Sequence, residues 1–363
     1  MLTRHAVLPN TIQLCRGALV TRVGVIGASG FTGAELLRII ASHPQMELAF
    51  ATGSSQAGTA VAELYPSLAA SYPDDVYVDA SEADLSDVGL VFLGLPHGAS
   101  QSLVPELRGT VPHIVDLAAD FRLNDAALYP TWYGEAHAAP ELLDSFVYGM
   151  PELFREKLGG AELIAAPGCY VTTSSLTLAP LLCAGLIEPT GIIVDAASGV
   201  SGAGRPAKPN TTFCTVDENF TAYGLLNHRH TPEIEMALGM ASGLETQLLF
   251  TPHLAPMNRG ILATCYARPT RSLTTEDAIA ALADAYSDEP FVVVSERVPA
   301  TKNTLGSNSI HITARVDERT GWVVAIGALD NLVKGASGQA VQCANLALGL
   351  DEGAGLPAVG MFP

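Results

Sequence analysis

The sequence predicts an α/β protein, with a doubly wound, dinucleotide-binding Rossmann domain followed by a second α/β domain. Three observations predict it. At 363 residues the chain exceeds what one hydrophobic core usually fills. Its first part alternates β-branched runs with helical patterns around a glycine-rich turn, and its later part is a series of strand-like runs.

Arg22-Val-Gly-Val-Ile-Gly27 is a short β-branched run, residues 27–33 (GASGFTG) form a glycine turn, and residues 34–44 cluster Leu36, Leu37, Ile39 and Ile40 before Pro44 stops them. This is strand, turn, helix. Such a turn lets N–H groups at the helix start approach a pyrophosphate, and the helix dipole adds to the attraction. Gly27, Ser29, Gly30, Phe31, Thr32 and Gly33 are therefore cofactor candidates, although GxxGxxG is not the commoner GxGxxG spacing and a purely structural glycine turn is the bland alternative.

The next strand, within 46–58, carries Thr52, Gly53, Ser54 and Ser55 at its tip, where a ribose-binding carboxylate is expected for NAD. Hydroxyls and free amides can hold a 2′-phosphate that a carboxylate would repel, so the reading is NADP(H), with Ser54 and Ser55 as contacts. No arginine accompanies them. Residues 88–96 and 98–107 continue the alternation, and 113–121 is read as the strand that closes the parallel sheet. Pro96 and His97 stand at a strand's carboxyl end, where ligands bind in such sheets; a solvent-loop histidine explains His97 equally well.

Composition narrows the rest. Apolar residues make up 48% of the chain and no segment is low-complexity or repetitive, which describes a compact globular protein. A net charge of −18 argues against a broad nucleic-acid or anionic-membrane surface. Residues 163–187 carry no formal charge, but Pro167, Gly168, Pro180 and the hydroxyl cluster favour strand–turn–helix over a membrane span. Cysteines 15, 169, 183, 214, 265 and 343 have neither metal-ligand nor disulfide-framework spacing, so no metal is expected and a cytoplasmic location fits. Residues 1–20 do not read as a secretory signal; they are expected to be a disordered extension ahead of the first strand.

Cys183, Cys265 and Cys343, flanked by apolar residues, read as core, and Cys214, among threonines, is ambiguous. Cys169 differs. It follows Pro-Gly at a strand end and opens a helix, where orphan N–H groups and the dipole lower a thiol's pKa and present its sulfur as a nucleophile. An acid–base partner is offered by His228-Arg229-His230-Thr231-Pro232-Glu233-Ile234, with Thr231 expected to cap a helix from Pro232 and both histidines in the entry loop. An HxH pair can also bind metal, but no third ligand has suitable spacing. Between residues 161 and 260 the only cations are Arg205, Lys208, Arg229 and Arg259, each in a Gly- or Pro-bounded motif. They read as placed anion binders, since an arginine fork donates two parallel hydrogen bonds to carboxylate or phosphate. Arg122, in Ala118-Ala-Asp-Phe-Arg122, is a further candidate.

The stretches GASGFTGAELLR, DLAADFR, PGCYVTT, GVSGAGR, HRHTPEI and PHLAPMNRGI together resemble the N-acetyl-γ-glutamyl-phosphate reductases of the semialdehyde dehydrogenase family, from about residue 21 to the end. The resemblance implies a Rossmann NADP-binding domain over 21–166, a glyceraldehyde-3-phosphate-dehydrogenase-like catalytic and oligomerisation domain with a mixed or antiparallel sheet over 167–330, and a C-terminal segment, 331–363, that returns to the first domain. It implies NADPH-dependent reduction of a small anionic acyl phosphate to a semialdehyde plus phosphate in arginine biosynthesis, through a Cys169 thioester. His230 is then the first-choice acid–base and His228 its assistant, and Glu233 orients an imidazole or lines the substrate site. Arg122, Arg205 and Arg259 take the substrate's anionic groups, and Ser201, Gly202 and Asn331 lie near the nicotinamide. A homodimer or homotetramer, without nucleic-acid or membrane partners, is implied. The alternatives are a reductase of aspartyl or 2-aminoadipyl phosphate, a non-enzymatic NADP-binding redox sensor, and a thiol acyltransferase or hydrolase.

Overall fold

The computed structural model describes residues 20–363, so the expected N-terminal extension, through residue 19, lies outside the described residues. Two sheets organise the chain. The first is six-stranded, in the order β2-β1-β3-β4-β6-β5, and every pairing is parallel. Its elements are β1 (Thr21–Ile26), α1 (Phe31–Ile40), β2 (Met46–Ala51), β3 (Leu90–Leu93), α2 (Ala99–Leu107), β4 (His113–Asp116), β5 (Val147–Tyr148), α3 (Pro151–Leu158) and β6 (Leu163–Ala165). Strands such as β3 are buried along their whole length, as parallel strands covered by helices on both faces must be.

The sequence places the closing strand at 113–121, and here the structure differs. β4 is interior, flanked by β3 and β6, and β5 forms the edge. Two residues, the length of β5, are too few to show a strand period.

From β6 the chain passes through Pro167-Gly168 into α4 (Cys169–Cys183). Every residue from Tyr170 to Leu182 is buried, which explains the uncharged run: this helix meets protein all around its circumference. Among the described residues no helix is long and apolar enough to cross a membrane.

The second sheet holds β7 (Ile192–Ser198), β8 (Thr221–Ala222), β9 (Leu248–Leu254), β10 (Ile261–Ala267), β11 (Val292–Val294), β12 (Ile310–Asp317) and β13 (Trp322–Leu329). Its order is β11-β12-β13-β10-β7-β9-β8; the central pairings are antiparallel, while β7/β9 and β11/β12 are parallel. Burial alternates along β7 and β10, so one face is apolar, and α4, α5 (His230–Ser242) and α6 (Thr275–Ala285) cover it. A π turn, Val333–Ser337, then leads into α7 (Gly338–Ala347), whose Ala340, Val341 and Ala344 pack in one core with Val23, Leu36 and Phe92 of the first sheet's layer. The end of the chain thus returns to the first sheet.

Cys265 and Cys343 are core residues, whereas Cys183, also expected inside, is exposed at the last position of α4. A helix that ends at the surface exposes its terminal side chain however apolar its neighbours. Cys214 is exposed as well.

Candidate functional site

A cleft of about 550 Å³ runs between the two sheets' layers, and the starts of two helices line it. One wall is the turn between β1 and α1. Gly27 has φ +84°, and a side chain there would meet the Gly94 carbonyl oxygen at 2.4 Å, so only glycine fits. Gly33 is required for another reason: a Cβ would lie 2.4 Å from Ala28 Cα, where helix and turn pack closely. Thr52 Oγ1 accepts the Gly27 N–H at 3.1 Å and ties the turn to the tip of β2.

Gly30 stands just before α1, and no side chain among the described residues caps that helix. Its first N–H groups are left for an external acceptor, which is the cradle an anionic pyrophosphate needs. The residues present therefore fit a dinucleotide. Ser29, Phe31, Thr32, Ser54, Ser55 and Pro96 line this part of the cleft, as do Ser201, Gly202 and Asn331 from the second half. Asn331 Nδ2 donates to Ser201 Oγ at 3.0 Å while its Oδ1 accepts the Gly260 N–H at 2.7 Å, which knits the loop after β7 to the turn before β10.

His97 does not line the cleft. Its Nδ1 lies 2.5 Å from buried Asp120, its Nε2 is 3.6 Å from Glu135, and its ring packs on Tyr133 at 4.4 Å. The Asp120 carboxylate also accepts the Gly98 and Ser100 N–H groups. His97 thus braces the loop after β3 instead of meeting a cofactor, and the pairing draws on Asp120, 23 positions along the chain. Neither the crevice reading nor the solvent-loop reading describes it.

The other wall is the start of α4. Cys169 is the first helical residue, half-buried on the cleft. Gly168 precedes it because a Cβ there would collide with His230 Nε2 at 2.3 Å. His230 lines the cleft and stands against Gly168, the residue before the cysteine; His228 lies behind, its ring 4.8 Å from that of His230. The sequence puts both histidines in a loop capped by Thr231, but α5 already begins at His230. His228 Nδ1 accepts the His230 backbone N–H at 3.1 Å, so the imidazole performs the capping and its own proton sits on Nε2 when it is neutral. Tyr170 meets both rings edge-on.

Glu233 neither orients an imidazole nor faces substrate. Fully buried, its Oε1 accepts the Gly168 N–H and the Tyr148 hydroxyl, each at 2.9 Å, and its Oε2 lies 3.7 Å from Arg122 Nη1. It holds the turn that presents the cysteine. Arg122, which lines the cleft, is held in turn by its bond to the Leu117 carbonyl at 2.6 Å.

The electrostatics also depart from the helix-start expectation. Burial pushes the Cys169 thiol up to about 11, although Arg122 and the N–H groups of the first turn pull it down. Burial, then Arg229, brings His228 down to about 4, and burial with the neighbouring cations holds His230 well below the usual imidazole range. At rest the cleft therefore holds a protonated thiol and a neutral imidazole.

Arg259 is corrected too. Its Nη2 pairs with Glu35 at 2.8 Å and its Nε lies 3.3 Å from Asp330, so it ties α1 to the end of β13 and is not a lining residue of the thiol cleft. Arg205 does line that cleft, and its guanidinium has no hydrogen bond or ion pair among the described residues. Gly335 and Ala336, within the 329–340 stretch that the resemblance places near the nicotinamide though neither was named as a site residue, line the cleft as well; a Cβ on Gly335 would lie 2.9 Å from Cys169 Cβ. The signal was the Lys-Gly-Ala-Ser run, whose Lys334 is fully buried against Glu152 at 2.6 Å.

A helix start open to an anion faces a helix start that carries a thiol on the same cleft, and this site between two such sheets defines a dinucleotide-dependent oxidoreductase. Family models described as "Semialdehyde dehydrogenase, NAD binding domain" and "Semialdehyde dehydrogenase, dimerisation domain" match residues 22–161 and 169–331, and the chain belongs to the semialdehyde dehydrogenase family. Within it, the chain is 46% identical over 349 residues to the N-acetyl-gamma-glutamyl-phosphate reductase of Magnetococcus marinus and 48% identical over 346 residues to that of Citrifermentans bemidjiense, in each case over 94% of this chain and 99% of the relative. Aspartate semialdehyde dehydrogenase II of Vibrio cholerae, solved in complex with ASA, shares the fold: TM-score 0.70 at 17% identity, covering 91% of this chain and 98% of that one. The aspartate semialdehyde dehydrogenase of Candida albicans, solved with NADP, aligns with TM-score 0.66 at 15% identity over 90% of this chain and 98% of that one.

Proposed function

We propose that this protein is an NADP-dependent N-acetyl-γ-glutamyl-phosphate reductase, forming N-acetylglutamate 5-semialdehyde and phosphate in arginine biosynthesis. The observation that carries the reading is Cys169, opening α4 on the cleft between the uncapped start of α1 and the His230 imidazole. The names of the relatives at 46–48% identity supply the substrate. Bound in the cleft, the reduced dinucleotide supplies a hydride.

The chain's own groups do the rest. His230 takes the Cys169 proton, and the thiolate adds to the acyl carbon, whose bond to the phosphoryl oxygen breaks as phosphate leaves with the electron pair. A thioester remains on Cys169. Once hydride has reached its carbonyl carbon, the proton held by His230 passes to the new alkoxide, giving a thiohemiacetal. His230 then withdraws that hydroxyl proton as the C–S bond breaks, and returns it to the departing sulfur. Glu233 and Gly335 position the cysteine, His228 fixes the entry to α5, and Arg122 is the buried cation placed to hold the substrate's anionic end. Ser201, Gly202 and Asn331, tied together by the Asn331–Ser201 hydrogen bond, would hold the nicotinamide end.

A cytoplasmic homodimer or homotetramer assembled through the second sheet completes the reading, supported by the dimerisation description of the matching family model. The test is phosphate-dependent oxidation of a panel of semialdehydes with NADP and with NAD. N-acetylglutamate semialdehyde with NADP should be turned over fastest; preference for aspartate or 2-aminoadipate semialdehyde would replace the substrate, and no turnover with any would reject the reading.

A further inference from the structure

The hydroxyls at the tip of β2 have no cation beside them in sequence, yet the structure brings one from the other half of the chain. Gly53 closes a small cluster: a Cβ there would touch Tyr77 Cγ at 3.1 Å and Ser29 Cβ at 3.2 Å. Tyr65, on the segment that follows, donates its hydroxyl to the Ser29 carbonyl at 2.9 Å. Arg205 stands beside these two phenols. Burial raises the pKa of both Tyr65 and Tyr77, and the Arg205 charge opposes that rise in each.

Four arginines surround this cleft and the adjoining cavity beneath α1. Arg38 and Arg259 are paired with Glu35, and Arg122 is engaged by Leu117 and Glu233 at the thiol end. Arg205 alone makes no hydrogen bond or ion pair among the described residues, and its Nε is buried. The residue is half-buried, and a buried guanidinium donor without an acceptor is costly unless an anion meets it. The only carboxylate lining the cleft among the described residues, Asp79, has its Oδ1 held by the Ser81 N–H at 3.0 Å and the Ser81 hydroxyl at 2.6 Å.

The Cys169 thiol feels Arg122, not Arg205, among its main charge influences. Arg122 is fixed at the thiol end by Leu117 and Glu233, whereas Arg205 shares the cleft lining with Ser54 and Ser55 at the tip of β2, the place where a dinucleotide's adenosine ribose lies in this class of sheet.

Resting on the cofactor assignment above, we propose that Arg205, reaching over from the second sheet's layer, is the cation that binds the 2′-phosphate beside Ser54 and Ser55 and so sets the preference for NADP over NAD. The cation is then supplied across the cleft, in the loop after β7, and not by the strand tip. The same loop also places Ser201 and Gly202 on the cleft.

The test titrates NADPH, NADH and adenosine 2′,5′-bisphosphate into the full-length wild type, Arg205→Gln and Arg205→Lys, following binding by fluorescence, with a thermal melt of each. Arg205→Gln should weaken NADPH and the bisphosphate roughly ten- to a hundredfold and leave NADH within about twofold, because a charge-assisted bond to a phosphate is lost and nothing else. Arg205→Lys should fall between. Equal weakening of NADPH and NADH would place Arg205 on the pyrophosphate and overturn the proposal, as would unchanged NADPH affinity. A wild type that binds neither dinucleotide would instead remove the cofactor assignment itself.

Discussion

The helix that starts at Phe31 and the helix that starts at Cys169 each follow a strand and a glycine, and both open on the same cleft. At the first, the glycine is forced by neighbouring backbone, the Gly94 carbonyl 2.4 Å from where a Cβ would stand at Gly27, and the first N–H groups lack a side-chain cap. At the second, the glycine is forced by an imidazole, His230 Nε2, and the Gly168 N–H is already taken by the Glu233 carboxylate. The difference teaches how one device serves two ends. Neither helix has a side-chain cap among the described residues, so both offer first-turn N–H groups to an anion; the second differs in that the residue before it is pinned from within by Glu233, which steadies the side chain mounted there.

The sharpest break in that comparison is chemical. Cys169→Ser should lower turnover by on the order of 10⁴-fold or more, and His230→Asn by roughly 10²- to 10⁴-fold, while NADPH affinity measured by titration stays near wild type in both. A change confined to dinucleotide affinity would move either residue to the other wall.

Next come the two glycines. Gly27→Ala, strained by φ +84° and by the 2.4 Å approach to Gly94, should abolish dinucleotide binding. Gly168→Ala, with its Cβ 2.3 Å from His230 Nε2, should displace the imidazole and lower kcat while dinucleotide binding persists. Binding isotherms beside single-turnover rates would separate the two; like effects from both substitutions would erase the distinction between the walls.

The smallest effect expected is on the thiol's titration. Alkylation of free Cys169 by iodoacetamide should still be accelerating well above the usual thiol range of about 8.5, toward the value of about 11 set by burial. Arg122→Gln removes the cation that favours the thiolate and should shift the profile to higher pH. Glu233→Gln removes an anion that disfavours it and should shift the profile to lower pH. Rate-against-pH curves for the three proteins check both signs.

Much of this was legible because it is local. The glycine turn, the Pro-Gly-Cys entry to α4 and the strand-like runs of the second sheet announce themselves within a dozen residues, and the runs at 191–200, 261–269, 309–316 and 322–330 become β7, β10, β12 and β13. What was not legible is pairing over distance. Glu233 meets Gly168 across 65 positions, Arg259 meets Glu35 from the other half of the chain, and the capping of α5 by His228 replaces a threonine that the local pattern favours. The thiol's electrostatics failed for the same reason. A helix start is visible in sequence, but the burial that outweighs its dipole comes from segments far along the chain, such as the turn at Gly335. Arg205 is the opposite case, a residue picked out as an anion binder whose neighbours point to a different anion.

Trapping the covalent species would decide whether Cys169 carries the chemistry. The enzyme is incubated with N-acetylglutamate semialdehyde and NADP without phosphate, then digested and its peptides weighed. The peptide holding Cys169 should carry an N-acetylglutamyl thioester that disappears when phosphate is added, since phosphate is the acyl acceptor in that direction. An unmodified Cys169 peptide under conditions where NADP has been reduced, or an acyl group on any other residue, would contradict the thioester route and the role given to the helix that begins there.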